Sequence, residues 1–255
     1  MLEKIVESCR FLLNNYPEAQ ASKSYLDSRL NKSSQEMFRF GYFPGVQDLS
    51  ALTDLVGEEA LRKAGLFYTR PIEDSLFPRQ VPTCYFENHP LILPFRDSYG
   101  KTVGLIGRTF LSEEDWKSQG VKSKYKNTEF RKGDFVFGLY ENKQHILDRS
   151  CVYVVEGQFD VIKAVEIGFR NIVALGTSSM TAYQFSVISR YSNNIFLLLD
   201  NDGPGQKGRE RIISKYGHMA NIRNFYLPDD FKDIDEYITK EKISDYADLS
   251  LDVKD

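Results

Sequence analysis

Apolar residues in the first third of the chain recur at helical spacing. Leu2, Ile5, Val6, Cys9, Leu12 and Leu13 share one side of a helical wheel, and the stretch stops at "NNYP". A second helix is expected from Glu18 to Leu30. A third is expected from "SSQEMFRF", where Ser33 and Glu36 have the spacing of a capping box. "GYFPG" breaks it, and "GEEALRKAG" reads as another short helix closed by Gly65.

The pattern then changes. "HPLILPFRDSYGKTVGLIGRTF" predicts two strands around a turn at Tyr99-Gly100, with Pro94 suited to an edge or a strand start. "LSEEDWKSQGVKSKYKNTEFRKGDF" is polar and basic and reads as a loop excursion, followed by a short strand in "FVFGLY". From Cys151 onward, short apolar runs ("CVYVV", "NIVAL", "NIFLLL") alternate with helical segments and end in a strand-like "NIRNFYL". Uninterrupted apolar runs alternating with helices indicate a parallel sheet covered on both faces. The fold class is therefore α/β. The boundary is expected in "ENKQHILDRS", giving a mixed α+β lobe over 1–148, a parallel-sheet lobe over 149–228, and a C-terminal acidic segment with a short helix over 229–255.

Composition narrows the picture modestly. A chain of 255 residues, 42% hydrophobic and 27% charged, has the make-up of an ordinary globular protein. It has no apolar run approaching the roughly 20 residues of a membrane span, and "MLEKIVESCRFLL" lacks the character of a signal peptide. A cytoplasmic location is expected. Cys9, Cys84 and Cys151 are far apart and show no C-x-x-C spacing, so no zinc site is expected. A net charge of −3 argues against indiscriminate nucleic-acid binding, although a local basic surface is compatible with it.

The chemistry sits where the apolar runs end. "FLLLDNDGPG" drives a run built for burial straight into Asp200 and Asp202. In parallel α/β sheets, the loops at the C-terminal ends of the strands carry the site. That rule brings Glu156, from the first strand end, together with Asp200 and Asp202. It adds Asp233 and Asp235 from "LPDDFKDIDEY", and Asp160 on the first turn of a helix, where it also complements the helix dipole. Clustered carboxylates repel and raise one another's pKa. Divalent cations relieve the repulsion: Mg²⁺ takes a few carboxylates plus substrate phosphate, and a pair of ions can serve phosphoryl transfer. Separately, Lys117, Lys122, Lys124, Lys126, Arg131 and Lys132 form a basic run, and Tyr125 within it could stack on a base.

"VVEGQFDVI", "LGTSSMT", "LLLDNDGPGQ" and "LPDDFKDIDEYI" resemble the toprim domain of DnaG-type primases. "LPFRDSYGKTVGLIGRTF", "KYKNT" and "FRKGDFVFGLYE" are similar to the basic region of the same catalytic core, and "SYLDSRL", "EMFRFGYFPG" and "LRKAGLF" to its helical beginning. The resemblance spans about residues 24 to 240 and implies a Rossmann-like toprim lobe. It implies metal carboxylates at Glu156, Asp160, Asp200, Asp202, Asp233 and Asp235, with Glu156, Asp200 and Asp202 catalytic and two or more Mg²⁺ or Mn²⁺ ions. Arg96, Arg108, Lys124, Tyr125, Asn127 and Lys132 would face template, primer or nucleotide. The implied activity is synthesis of RNA primers from ribonucleoside triphosphates on single-stranded DNA, with a replicative helicase or a separate zinc-binding module as partner.

The chain departs from the family's pattern in places. "TFLSEEDWKSQGVKS" is longer than usual, no zinc ribbon precedes the core, and 20 residues follow Asp235. A stripped-down core is expected, of the kind a phage or plasmid primase or a trimmed fragment has. Two other readings stay open: a toprim nuclease sharing the carboxylates, and a non-catalytic DNA-binding replication subunit.

Overall fold

The computed structural model describes residues 1–71, 79–118 and 120–254. Gln119 of the expected polar loop and Asp255 of the expected C-terminal segment lie outside them. The chain forms two compact units. One comprises residues 1–95 and 102–130, the other residues 96–101 and 131–255.

The first unit opens with α1 (Leu2–Asn15), α2 (Gln20–Arg29) and α3 (Lys32–Met37). Ile5, Val6, Cys9, Leu12 and Leu13 are buried on one side of α1, as the helical spacing requires, while Phe11 lies off that side and is exposed. The cap of α3 is Asn31, whose side chain accepts from the Ser34 amide at 2.8 Å, so the expected Ser33–Glu36 box is displaced by a better-placed acceptor. Strand β1 (Gly41–Tyr42), α4 (Ser50–Val56) and α5 (Glu58–Lys63) follow. A hairpin of β2 (Phe67–Pro71) and β3 (Gln80–Cys84) comes next, then β4 (Leu91–Arg96) and β5 (Thr102–Arg108). The expected turn is present, with Gly100 at φ 91°, a conformation glycine adopts freely.

The sheet order is β1-β4-β5-β6, where β6 is Tyr125–Asn127. Pro94 is therefore not on an edge strand. Short β1 pairs with β4 only at Leu91 and Ile92, so the missing N–H of Pro94 costs no ladder bond on that side. Within the expected loop lie both α6 (Glu113–Ser118) and β6.

The second unit starts earlier than the sequence indicates. Residues 139–149 form helix α7 (Leu139–Arg149), not an extension of a strand. Only Phe137 of "FVFGLY" makes a bridge, to Ala174, and buried Asn142 donates to the Ile172 carbonyl at 2.8 Å. These bonds bind 131–149 to the second unit, moving the division from 148/149 to 130/131.

The remaining elements are β7 (Val152–Val155), α8 (Gln158–Glu166), β8 (Ile172–Ala174), α9 (Ala182–Ser189) and β9 (Asn194–Leu197). After them come α10 (Gly203–Tyr216), β10 (Asn221–Tyr226), α11 (Ile234–Lys240) and β11 (Asp252–Lys254). The sheet order is β11-β10-β9-β7-β8, parallel except for β11. Alternate residues explain the uninterrupted apolar runs. Val152, Val154, Ile195, Leu197 and Leu199 join the α9 and α10 residues Ile188 and Ile212 in one cluster. On the other face, Tyr153 makes edge contacts with Phe169, Phe196 and Phe225. The order of connection reverses at β7: β7 connects to β8 on one side, and the chain then returns past β7 to the parallel β9 on the other. Such a reversal opens a crevice at the strand ends.

Candidate active site

That crevice is where the acids are. Glu156 directly follows β7, and Asp200 and Asp202 follow the neighbouring β9, whose Leu197 is in register with Val154. The next residues must turn sharply into α10. Asp202 caps this helix, its Oδ1 accepting from the Gly205 amide at 2.9 Å. A Cβ on Gly205 would lie 2.1 Å from the Asp200 carbonyl oxygen and 3.2 Å from Glu156 Oε1, so only glycine lets the helix approach so closely.

The later acids arrive through a second cap. Asp233 Oδ1 accepts from the Glu236 amide at 2.8 Å and starts α11. Asp160 is buried, and both its oxygens meet backbone: Oδ2 accepts from Gly157 at 3.0 Å and Oδ1 from Asp235 at 3.2 Å. Its place is thus tying the acidic turn to the β7 loop, more than complementing a helix dipole.

Burial, followed by the neighbouring Asp200 charge, pushes the Glu156 carboxyl up to about 7, against the pull of the Asp200 amide. Burial raises Asp160 well above the ordinary range, reinforced by the Asp233 and Asp200 charges. Asp200 and Asp233 are raised as well, first by burial and then by their acidic neighbours. Glu156, Asp160, Asp200 and Asp233 therefore lie close enough to neighbouring carboxylates to feel their charge.

Lys232 offsets part of this charge. Its ammonium lies 3.4 Å from Asp200 Oδ2 and 3.5 Å from Asp202 Oδ2. Burial would lower its pKa, but the two carboxylates prevail and raise it. Among the described residues, no three acidic, histidine or cysteine side chains close around a single point. An ion would draw on an incomplete protein shell, which suits Mg²⁺ and its retained waters better than an all-protein cage. The donor set fits such an ion. It is hard carboxylate oxygen, and Glu156 Oε1 is buried with no hydrogen-bond partner among the described residues.

Three contributors escaped the sequence reading: Lys232, Asn201 and Arg209. Asn201, between the two aspartates, donates through Nδ2 to the Leu227 and Phe231 carbonyls at 3.1 Å, and through its amide to the Lys232 carbonyl at 2.7 Å. Buried Arg209 donates to the carbonyls of Leu199 and Asp200. A polar residue filling Asp-x-Asp was the signal for Asn201.

The expected nucleic-acid residues divide between the units. In the second unit, Arg96 pairs with Glu141 and lies over the Tyr140 ring, an ordinary ion pair. Lys132, half-buried, runs beside Gly176 in the loop after β8, and burial lowers its pKa. In the first unit, Arg108 is buried with its guanidinium over both Tyr25 and Tyr125. It packs against two tyrosine faces where the sequence placed it facing phosphate, and the π faces offset part of the cost of burying the charge. Lys124 is exposed and Tyr125 half-buried, while Asn127 presents a buried Oδ1 without a hydrogen-bond partner among the described residues. Lys126 lies over the Tyr85 ring.

A parallel sheet with carboxylates at the ends of adjacent strands is the design of a toprim domain, and residues 153–238 match the Toprim-like family model. Residues 11–143 match the model for the N-terminal domain of the DNA primase catalytic core. The chain belongs to the DNA primase family. It is 32% identical over 251 residues to a DNA primase of Synechococcus elongatus, covering 91% of this chain and 34% of that protein. The structure of Aquifex aeolicus primase, comprising zinc-binding and RNA polymerase domains, superposes with a TM-score of 0.73 at 27% identity, over 94% of this chain and 56% of that one. A DnaG primase catalytic domain bound to single-stranded DNA shares the fold, with a TM-score of 0.72 at 24% identity, over 94% of this chain and 75% of that one. The chain thus spans about a third of the length of its Synechococcus relative.

Proposed function

We propose that the chain is the polymerising core of a DNA primase, a nucleotidyltransferase that makes RNA primers on a single-stranded DNA template. The observation that carries the proposal is the placement of Glu156 beside Asp200 and Asp202 where the connection order reverses, with a buried carboxylate oxygen that has no hydrogen-bond partner among the described residues. In the reaction, the primer 3′-oxygen bonds to the α-phosphorus of a ribonucleoside triphosphate, the bond to the bridging oxygen breaks, and pyrophosphate leaves. Glu156, raised toward neutrality by burial, suits acceptance of the hydroxyl proton. Asp200, Asp202, Asp233 and Asp235 would hold Mg²⁺ or Mn²⁺, with Glu156 alongside. Bound there, such ions offset the charge of the triphosphate and of the departing pyrophosphate. Asp160 keeps the Asp235 turn in place through its backbone bond.

Lys124, Tyr125, Asn127 and Lys132 are the residues we assign to template, primer or nucleotide, supported by the exposure of Lys124. The DnaG domain of the same fold that binds single-stranded DNA supports single-stranded DNA as a ligand class. A zinc-binding module, present in the Aquifex protein, and a replicative helicase are the partners we propose. No helix among the described residues is long and apolar enough to cross a membrane, which is compatible with action in the cytoplasm.

One incubation tests the proposal: single-stranded template, labelled ribonucleotides, and Mg²⁺ or Mn²⁺. Short labelled RNA supports primer synthesis. Shortened template instead indicates a nuclease, and neither product indicates a DNA-binding subunit.

A further inference from the structure

Arg209 is the largest fully enclosed side chain, 1% exposed, and it carries a charge. It lies on α10, one turn beyond the residues capped by Asp202. Nη1 donates to the Asp200 carbonyl at 2.9 Å. Nη2 donates to the Leu199 carbonyl and, at 3.4 Å, to the Phe225 carbonyl. The guanidinium lies 4.5 Å from the Tyr226 ring centre. Burying a cation against carbonyls and a ring is costly, and methionine would fill the space without that cost. A purely packing role therefore accounts poorly for arginine.

The two carbonyls have a particular significance. The Leu199 carbonyl and the Asp200 N–H belong to one peptide unit, and that amide lies near enough to the Glu156 carboxylate to lower its proton affinity. The Asp200 carbonyl and the Asn201 N–H belong to the next unit, and that N–H bonds the Lys232 carbonyl at 2.7 Å. Arg209 thus grips the oxygen of each peptide plane flanking the Asp200 Cα, and in the second plane the Lys232 carbonyl holds the opposite hydrogen as well. With both planes held, the direction in which Asp200 leaves the backbone is set. A planar guanidinium fork suits this role, because it bonds two acceptors at a fixed angle.

We propose that Arg209 is a positioning residue for the carboxylate centre, locking the peptide planes on either side of Asp200 so that Asp200 and Glu156 present their oxygens to a divalent cation in fixed directions. The proposal rests on the cation-holding reading of those acids. Burial lowers the proton affinity of Arg209, while the Tyr226 hydroxyl and the charges of Glu156, Asp200 and Asp202 act in the opposite sense. An arginine in such surroundings stays protonated, so its grip persists across the working pH range.

The test is Mn²⁺ affinity, measured by electron paramagnetic resonance on the whole chain well below its melting temperature, without nucleic acid or nucleotide. Wild type, Arg209→Met, Arg209→Lys and Asp200→Asn are compared, and circular dichroism establishes which variants are folded. Wild type is expected to bind and Asp200→Asn to lose most of the affinity. Arg209→Met should weaken binding by about tenfold to a hundredfold, as loss of support to metal ligands does elsewhere. Arg209→Lys should fall between wild type and Arg209→Met, weakening binding at least about threefold. If Arg209→Met does not fold, Arg209→Lys decides. A folded Arg209 variant within about twofold of wild type overturns the positioning role while leaving the metal site intact. Absence of Mn²⁺ binding by wild type, or full binding by Asp200→Asn, overturns the cation-holding reading and the Arg209 role with it.

Discussion

The amide of Asp235 donates a 3.2 Å hydrogen bond to the carboxylate of Asp160, across 75 positions of sequence. The other oxygen of Asp160 takes the Gly157 amide, completing half of a capping box. One side chain therefore couples the loop after β7 to the start of α11.

Asp160→Ala is expected to lose about 1–2 kcal/mol of stability, the usual scale for a lost helix cap. It should also reduce primer synthesis by loosening the Asp235 turn. Asp160→Asn should behave similarly, because its amide NH₂ turns a donor toward one of two backbone donors. Urea unfolding and primer yield measure the two effects.

Glu156→Gln and Asp200→Asn should each reduce primer synthesis by at least about a hundredfold while leaving the fold intact. Retained synthesis in both variants removes the catalytic assignment.

The same glutamate makes stability depend on pH. Its pKa is raised in the folded chain from 4.5 to about 7, so the folded state binds its proton more tightly than the unfolded state does. That contribution is present at low pH and is lost as pH rises through this window. Asp160, Asp200 and Asp233 are raised and act with the same sign. Glu3 and Glu7, lowered by Thr102 and by arginine partners that outweigh their partial burial, act oppositely and below the ordinary carboxylate range. His89 and His145, lowered by burial, act oppositely within the same window. The four raised carboxyls outnumber them, so the melting temperature of the metal-free chain should fall between about pH 5 and pH 8, and Glu156→Gln should flatten the fall. A profile unchanged by that substitution contradicts the assignment.

Lys232→Met removes the cation between Asp200 and Asp202. The metal-free chain should melt lower than wild type at pH 8, and added Mn²⁺ should raise its melting temperature by more than it raises that of wild type. Calorimetry with and without Mn²⁺ reads both changes.

Lys124→Glu should weaken binding to single-stranded DNA and make the plot of log affinity against log salt shallower by about 0.7 for each phosphate no longer neutralised. An unchanged slope would place Lys124 on a solvated loop that meets no phosphate.

Much of the second unit was legible because a strand buried on both faces must be apolar at every position. Val152–Val155 and Ile195–Leu199 advertise this, and the acids at their ends follow. Other features left weaker traces. The β2–β3 hairpin is largely exposed and lacks a strict apolar alternation. "FVFGLY" has the composition of a strand, but Gly138 adopts φ 80° and the chain turns into α7. Arg108 and Arg209 look like solvent-facing cations in a string of letters, yet both are buried, one between tyrosine rings and one beneath a strand end. Only three-dimensional neighbours distinguish a buried guanidinium from an exposed one.

Two cations thus serve the same carboxylates from opposite sides of the solvent boundary: Lys232 is 57% exposed at its side chain, Arg209 enclosed. Dissolved ions reach the first and have no access to the second. Raising ionic strength should erode the lysine's contribution and spare the arginine's, leaving the backbone scaffold set at any salinity while the net charge presented at the strand ends varies with the medium.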